Sequence, residues 1–366
     1  MLQKKSFFLF GPRATGKSTL IKTQLPGAQV FDLLDRATFR RLLADPSIIG
    51  QSPKPGPIVI DEIQKIPSLL DEVHRQIESK KKIFLLTGSS ARKLRHGGAN
   101  LLAGRAWTAE LMPLTRGEID DFDLVTYLTK GGLPVVYQSP DWHEELEAYI
   151  GNYLQEEVMA ESLTRNIEAF SEFLTIAAKS NGEEVNLQNF ASDCGVSQNT
   201  VKNYFQILTD TLIGFPVTAY RKTTRRKAIT RQKYYLFDVG VRNRLCDIDS
   251  VSTKSDSFGR TFEHFIIMEV RAFNSYFRRN FRLQYWRSTS QFEVDLVIEK
   301  KVAIEIKGVH QVGDKHLKGI RALKEEGKFP AYVVVSCEPE IRKTEDGILL
   351  LPWEKFLEQM WTGQLL

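Results

Sequence analysis

Residues 6–20 read Ser-Phe-Phe-Leu-Phe-Gly-Pro-Arg-Ala-Thr-Gly-Lys-Ser-Thr-Leu. The apolar run Phe7–Phe10 predicts a short buried strand, and it runs straight into Gly11-Pro12-Arg13-Ala14-Thr15-Gly16-Lys17-Ser18-Thr19. This is the G-x-x-x-x-G-K-[ST] spacing of a phosphate-cradling loop. Gly11 and Gly16 let the backbone turn tightly, so that consecutive N–H groups point inward at an anion. Lys17 reaches the β- and γ-phosphates of a nucleotide, and the Ser18 hydroxyl is placed to ligate Mg²⁺. Thr19-Leu20-Ile21 opens a helix whose positive end faces the phosphates. A chance Gly-rich turn would lack the strand before it and the helix after it. ATP and Mg²⁺ are the expected ligands, and the first part of the chain is expected to be a parallel α/β sheet.

Farther along, Ala28–Leu33 predicts a second strand and Arg36–Ala44 a helix. A Pro-, Gly- and Ser-rich loop, Gln51–Pro57, then ends in Ile-Val-Ile-Asp61-Glu62. An apolar strand closing on two carboxylates is the second requirement of nucleotide hydrolysis. Asp61 is placed to hold Mg²⁺, and Glu62 to orient or deprotonate the attacking water. Leu69, Leu70, Val73 and Ile77 recur at helical spacing and predict a core-facing helix. Lys82–Thr87 is another apolar strand, ending in Gly88-Ser89-Ser90. Thr87 and Ser89 are candidates to hydrogen-bond the γ-phosphate or the water. Arg105 immediately precedes a strand, Ala106–Leu111. Two readings of it compete: an arginine finger, acting in cis or on a neighbouring copy in a homo-oligomer, and an exposed surface arginine.

GPRATGKST, IVIDEIQK, FLLTGSSARKLR, GGANLLAGR and ELMPLT together resemble the AAA-type ATPases of archaea and bacteria that carry a C-terminal domain of unknown function, and the resemblance extends over essentially the whole chain. It implies a five-stranded P-loop sheet with Lys17, Asp61 and Glu62 at the nucleotide. It implies no settled cellular role. The Gly131-Gly132-Leu133-Pro134 turn and the YLQEEV helix resemble the second region of the same family.

Composition sets broad bounds. The chain has 366 residues, 42% apolar and 26% charged, with a net charge of +5. Length suggests several domains. The charge balance is too mild to demonstrate a nucleic-acid partner by itself. Cys194, Cys246 and Cys337 are too scattered for a CxxC metal site or a disulfide framework. No apolar run approaches the ~18 residues a membrane span needs, and the strand at the N-terminus leaves no room for a signal peptide. The expectation is a cytoplasmic protein with no membrane partner.

Four segments are expected: a P-loop domain over residues 1–115, a helical linker or lid over 116–168, a winged helix over 169–238 and an α/β domain over 239–366. Leu187–Ser197 reads as helix, tight turn and helix cap, with small Ala191, turn-forming Gly195 and apolar Val201 where a helix-turn-helix needs them. This leaves Gln198, Asn199, Lys202 and Asn203 exposed. The basic segment Arg221–Lys227, between two strands, would be the wing and would grip DNA phosphates. The rival readings are a solvated charge run and a winged helix packed as a nucleotide-sensing module.

In the last segment, a long helix from Phe258 carries Glu263. Strand Phe292–Ile298 carries Asp295, and a tight turn leads to Val302–Gly308, which carries Glu305 and Lys307 on one face. Asp, then Glu-x-Lys across a hairpin, is the constellation of restriction-endonuclease-like metal-dependent nucleases. Asp295 and Glu305 would bind Mg²⁺, with Glu263 completing the site from the helix. Lys307 would orient the water or stabilise phosphate charge. The usual Pro before the Asp is replaced by Val294. A solvated ion pair reads alike in sequence, but here the flanking residues are apolar. Two functions follow: an ATPase that couples nucleotide state to DNA binding or Mg²⁺-dependent cleavage, or an ATP-gated switch whose nuclease-like domain is catalytically silent and serves for recognition.

Overall fold

The computed structural model describes residues 5–51, 56–89, 92, 94, 102, 104–154, 166–223 and 225–366. Residues 155–158 of the expected YLQEEV helix, Ser90 and most of the 91–103 stretch lie outside the described residues. Two compact units emerge. The first is built on residues up to Pro113 together with Gln206–Ile213; the second holds Leu114–Asn152, Arg165–Phe205 and Gly214–Leu366.

The first unit contains β1 (Ser6–Phe10), α1 (Lys17–Gln24), β2 (Gln29–Asp32), α2 (Arg36–Ala44), β3 (Ile58–Asp61), α3 (Leu69–Lys80), β4 (Phe84–Gly88) and β5 (Ala106–Glu110). Its five strands are parallel in the order β2-β3-β4-β1-β5, as the resemblance implies. Parallel strands are covered on both faces and read as continuous apolar runs. Accordingly the inner strands β3 and β4 are buried throughout, whereas edge strands β2 and β5 are only partly covered. The predicted stripe is present: Leu69, Leu70 and Val73 are buried, and Ile77 packs beside them. The loop that follows each parallel strand emerges at one end of the sheet, which is where β1, β3 and β4 deliver the candidate nucleotide residues.

The second unit begins with α4 (Leu124–Lys130), α5 (Pro134–Gln138) and α6 (Trp142–Ala148). Next come α7 (Ile167–Lys179), α8 (Leu187–Asp193) and α9 (Gln198–Asp210), the last passing out of this unit after Phe205. The predicted turn between α8 and α9 is formed: Gly195 has φ 63°, and Ser197 Oγ caps α9 by accepting the Thr200 N–H at 3.1 Å. Val201 is buried, while Gln198, Asn199, Lys202 and Asn203 are exposed.

After α9 come β6 (Gly214–Ala219), β7 (Lys233–Leu236), α10 (Val239–Leu245), α11 (Phe258–Tyr276), β8 (Leu283–Arg287), β9 (Glu293–Ile298), β10 (Val302–Lys307), α12 (Asp314–Glu326), β11 (Ala331–Ser336), β12 (Arg342–Lys343), β13 (Leu349–Pro352) and α13 (Trp353–Trp361). The α-β-β-β-α-β order expected of the last segment is met by α11-β8-β9-β10-α12-β11. One feature was not foreseen. β6 pairs with β8, so that β6 and β7 extend the C-terminal sheet to eight strands, ordered β12-β13-β11-β10-β9-β8-β6-β7. One face of this sheet packs Leu296, Ile304 and Ile306 against Phe262, Phe265 and Ile266 of α11. The other packs Val297, Ala303 and Val334 against Leu317, Ile320 and Leu323 of α12.

Candidate functional site

At the C-terminal ends of β1, β3 and β4, the phosphate loop is preformed. Gly16 takes φ 90° immediately before α1, a conformation that costs a side-chain-bearing residue. Gly11 is required for a different reason: a Cβ there would come within 2.6 Å of the Leu111 carbonyl oxygen. Thr15 Oγ1 donates to the Pro12 carbonyl at 2.9 Å and ties the loop across itself. The buried Lys17 ammonium folds back to donate to the Gly11 and Pro12 carbonyls at 2.7 and 2.9 Å. Pro12 is buried, Arg13 half-buried, and Ala14, Ser18 and Thr19 are exposed on the open side of the loop. Ser18 Oγ donates to Asp61 Oδ2 at 3.2 Å, bringing together the two residues expected to share Mg²⁺ although they lie on different strands and helices.

The register of β3 against β4, with Ile60 opposite Leu86, sets Thr87 beside Asp61. Thr87 Oγ1 donates to Asp61 Oδ1 and accepts the Glu62 N–H at 3.3 Å. Ser89 is buried just beyond the strand end, but Thr87 holds the two carboxylate residues. Glu62 sits at φ 61° and ψ 44°, left-handed backbone that is strained for a residue with a side chain. Its carboxylate accepts from Gln64 Nε2 at 2.5 Å. Gln64 reaches this position because Gly88 has no Cβ to block it. The sequence reading passed over Gln64; its only signal is a polar residue two positions past the carboxylate pair.

Arg105 is not a finger in cis. It precedes β5, whose Ala106 pairs with Ser6 at the start of β1, so it lies at the end of the sheet opposite the phosphate loop. Its guanidinium pairs with Glu78 of α3 at 2.5 Å. That pair is exposed, and it holds the Glu78 carboxyl below the usual range.

In the second unit, Asp295 and Glu305 are buried and converge on Lys307. The Lys307 ammonium is 2.7 Å from Glu305 Oε1 and 3.3 Å from Asp295 Oδ2, and the latter oxygen also accepts the Ile306 N–H at 2.7 Å. Glu305 Oε2 is buried with no hydrogen-bond partner. Burial, and then the neighbouring Asp295, push the Glu305 carboxyl well above its usual range, against the pull of Lys307. An acceptor oxygen left open beside a second carboxylate is a fit for a divalent cation.

Glu263 does not complete that set. Its Oε1 accepts from Tyr235 at 2.6 Å and lies 3.8 Å from the Lys233 ammonium. No three carboxylate, imidazole or thiol groups among the described residues are arranged to hold a metal. The physical reason is prior engagement: the Glu263 carboxylate is held by the Tyr235 hydroxyl and the Lys233 ammonium, both from β7.

Two of the five cations of the basic wing are paired within the unit, and Arg221, Arg225 and Lys227 are exposed. Lys222 pairs with Glu299, and Arg226 pairs with Glu325 at 2.7 Å and Glu326 at 3.0 Å. Arg226 also lies 5.3 Å above the Phe292 ring, and the Arg225 backbone N–H donates to Glu326. No described helix is long and apolar enough to cross a membrane.

A parallel sheet with a preformed phosphate loop, and an Asp-Glu strand separated from it by one inserted strand, define a P-loop ATPase domain. Residues 3–120 match the family described as AAA domain. Residues 121–252 and 258–356 match two domains of unknown function, DUF8612 and DUF4143. Uncharacterized proteins of Mycobacterium tuberculosis and Mycobacterium bovis are each 27% identical over 303 residues, covering 80% of this chain and 67% of theirs. Among solved structures, a Signal Transduction ATPase with Numerous Domains protein with a tetratricopeptide repeat sensor from Pyrococcus horikoshii aligns at 13% identity with a TM-score of 0.22. That alignment takes in 76% of this chain and 46% of the other, so the chain spans less than half of that protein's length.

Proposed function

We propose that the chain binds and hydrolyses ATP at Gly11–Thr19, Asp61, Glu62 and Thr87, and that nucleotide state governs its C-terminal unit. The observation that carries the first part is the Ser18–Asp61 hydrogen bond beside the folded-back Lys17. The loop carbonyls hold the ammonium until a phosphate competes for it, and backbone N–H groups of the loop and α1 supply the rest of the cradle. Ser18 and Asp61 would hold Mg²⁺, which neutralises phosphate charge when bound. Glu62, fixed by Thr87 and Gln64, would orient the attacking water and take its proton. The test is ATP binding and phosphate release by the full chain and by Lys17→Ala. Binding and turnover should be lost in the variant; ATP affinity unchanged in Lys17→Ala overturns the assignment.

A second reading concerns the C-terminal unit and is favoured by the open acceptor Glu305 Oε2. Asp295 and Glu305 would hold a divalent cation, which supplies Lewis acidity for phosphodiester cleavage. Lys307 would then stabilise charge on the scissile phosphate. Single- and double-stranded DNA incubated with Mg²⁺, with and without ATP, should be cut by the full chain and spared by Glu305→Ala. Absence of cutting by the unaltered chain overturns the cleavage reading.

A further inference from the structure

Beside Asp295, Glu305 and Lys307 stands a second charged group, contributed by a strand that precedes the C-terminal segment in sequence. Lys233 of β7 is 3% exposed, and its ammonium lies 2.5 Å from Glu293 Oε1 and 3.8 Å from Glu263 Oε1. Tyr235, two residues on and so on the same face of β7, donates to the same Glu263 oxygen. Four carboxylates are thereby divided into two pairs. Asp295 and Glu305 flank Lys307, while Glu263 and Glu293 flank Lys233. Burial works against a charge on Lys233, but Glu263, Glu293 and Asp295 together more than offset it and keep the ammonium protonated. Neighbouring buried carboxylates repel, and either an ammonium or a divalent cation between them relieves the repulsion.

We infer that Lys233 is a built-in positioning cation, occupying between Glu263 and Glu293 the place a second divalent ion would take, so that the C-terminal site accepts one divalent cation, at Asp295 and Glu305. Glu263 is then a support for Lys233 and Tyr235 rather than a metal ligand. The inference rests on the reading of Asp295 and Glu305 as a cation site. It also explains why β6 and β7 are joined to the C-terminal sheet: without that extension neither Lys233 nor Tyr235 would reach α11.

The test counts Mn²⁺ bound per full chain, by electron paramagnetic resonance of the free ion. It uses a chain carrying Asp61→Asn without nucleotide, so that the N-terminal site contributes none. One ion is expected. Because Arg287 Nε also lies 3.5 Å from Glu293 Oε2, Lys233→Met is combined with Arg287→Met. This chain should bind two ions, because Glu263 and Glu293 are then left facing each other with no cation between them. Glu263→Gln should leave one ion with its affinity changed less than about threefold, and this variant decides the matter if Lys233→Met with Arg287→Met does not fold. Two ions before Lys233 and Arg287 are changed, one ion after both are changed, or a tenfold or greater weakening in Glu263→Gln overturns the role of Lys233. No bound ion at all, or one that survives Glu305→Gln, overturns instead the cation reading on which the inference rests.

Discussion

Replacing Glu269 by Gln should remove a pH dependence of stability that the fold builds into α11. Glu269 is 2% exposed. Its Oε1 accepts the Arg116 backbone N–H at 2.6 Å, and its Oε2 accepts the Trp361 indole N–H at 2.9 Å. Burial pushes its carboxyl up to about 7 from the ordinary 4.5; the two N–H donors and the Arg116 charge oppose this, and Glu118 adds to it. A raised carboxyl binds its proton more tightly when folded than when unfolded. Between about pH 4.5 and 7 the folded chain therefore holds the extra proton, and stability falls as pH rises through that window. A displacement of about 2.5 units at about 1.36 kcal/mol each gives a loss of about 3 kcal/mol by pH 8. Gln cannot ionise, but its amide nitrogen faces one of the two N–H donors, a cost that does not vary with pH. The informative quantity is therefore a difference of differences. Urea unfolding of the unaltered chain and of Glu269→Gln is measured at about pH 4.5 and about pH 8, read by hydrogen exchange of the α11 amides. The variant should gain about 3 kcal/mol relative to the unaltered chain between the two conditions. His264, whose imidazole burial pushes down to about 3, gives the opposite slope as pH rises toward 6.5. It is present in both chains and cancels. A relative gain under about 1 kcal/mol would show that Glu269 ionises as an ordinary carboxylate and would refute the reasoning.

Thr87→Val keeps the shape of a fully buried side chain and deletes the hydroxyl that ties Asp61 to the Glu62 N–H. Losing about 1–2 kcal/mol of orientation should lower ATP turnover roughly 10-fold while ATP affinity changes little, as read by steady-state phosphate release and equilibrium binding. Gly319→Ala should destabilise the second unit by about 1–3 kcal/mol in thermal or urea unfolding, because its Cβ overlaps the Glu293 carbonyl oxygen and α12 must move off β9. An unchanged midpoint would show that α12 yields without cost.

What could be read in the sequence was local, and what escaped it depended on which strands become neighbours. The phosphate loop, the α8–α9 turn and the α-β-β-β-α-β order each depend on residues a few positions apart, where spacing fixes geometry. The choice of Thr87 over Ser89 depends on the β3·β4 register, which pairs segments far apart in the chain. Arg105 was within reach of sequence reasoning. In a parallel sheet whose nucleotide loop follows β1, a residue that precedes a strand lies at the opposite end, and that rule alone removes the cis finger. A run of basic residues carries no record of Glu299, Glu325 and Glu326, the acids that pair with two of the wing's five cations. Lys233 left a fainter trace, a single charge in an otherwise apolar strand, Lys233–Leu236. A lone ammonium buried on an edge strand needs carboxylate partners. Of its two partners, Glu263 reads in sequence as a metal ligand, and Glu293, the nearer one, carries no motif at all.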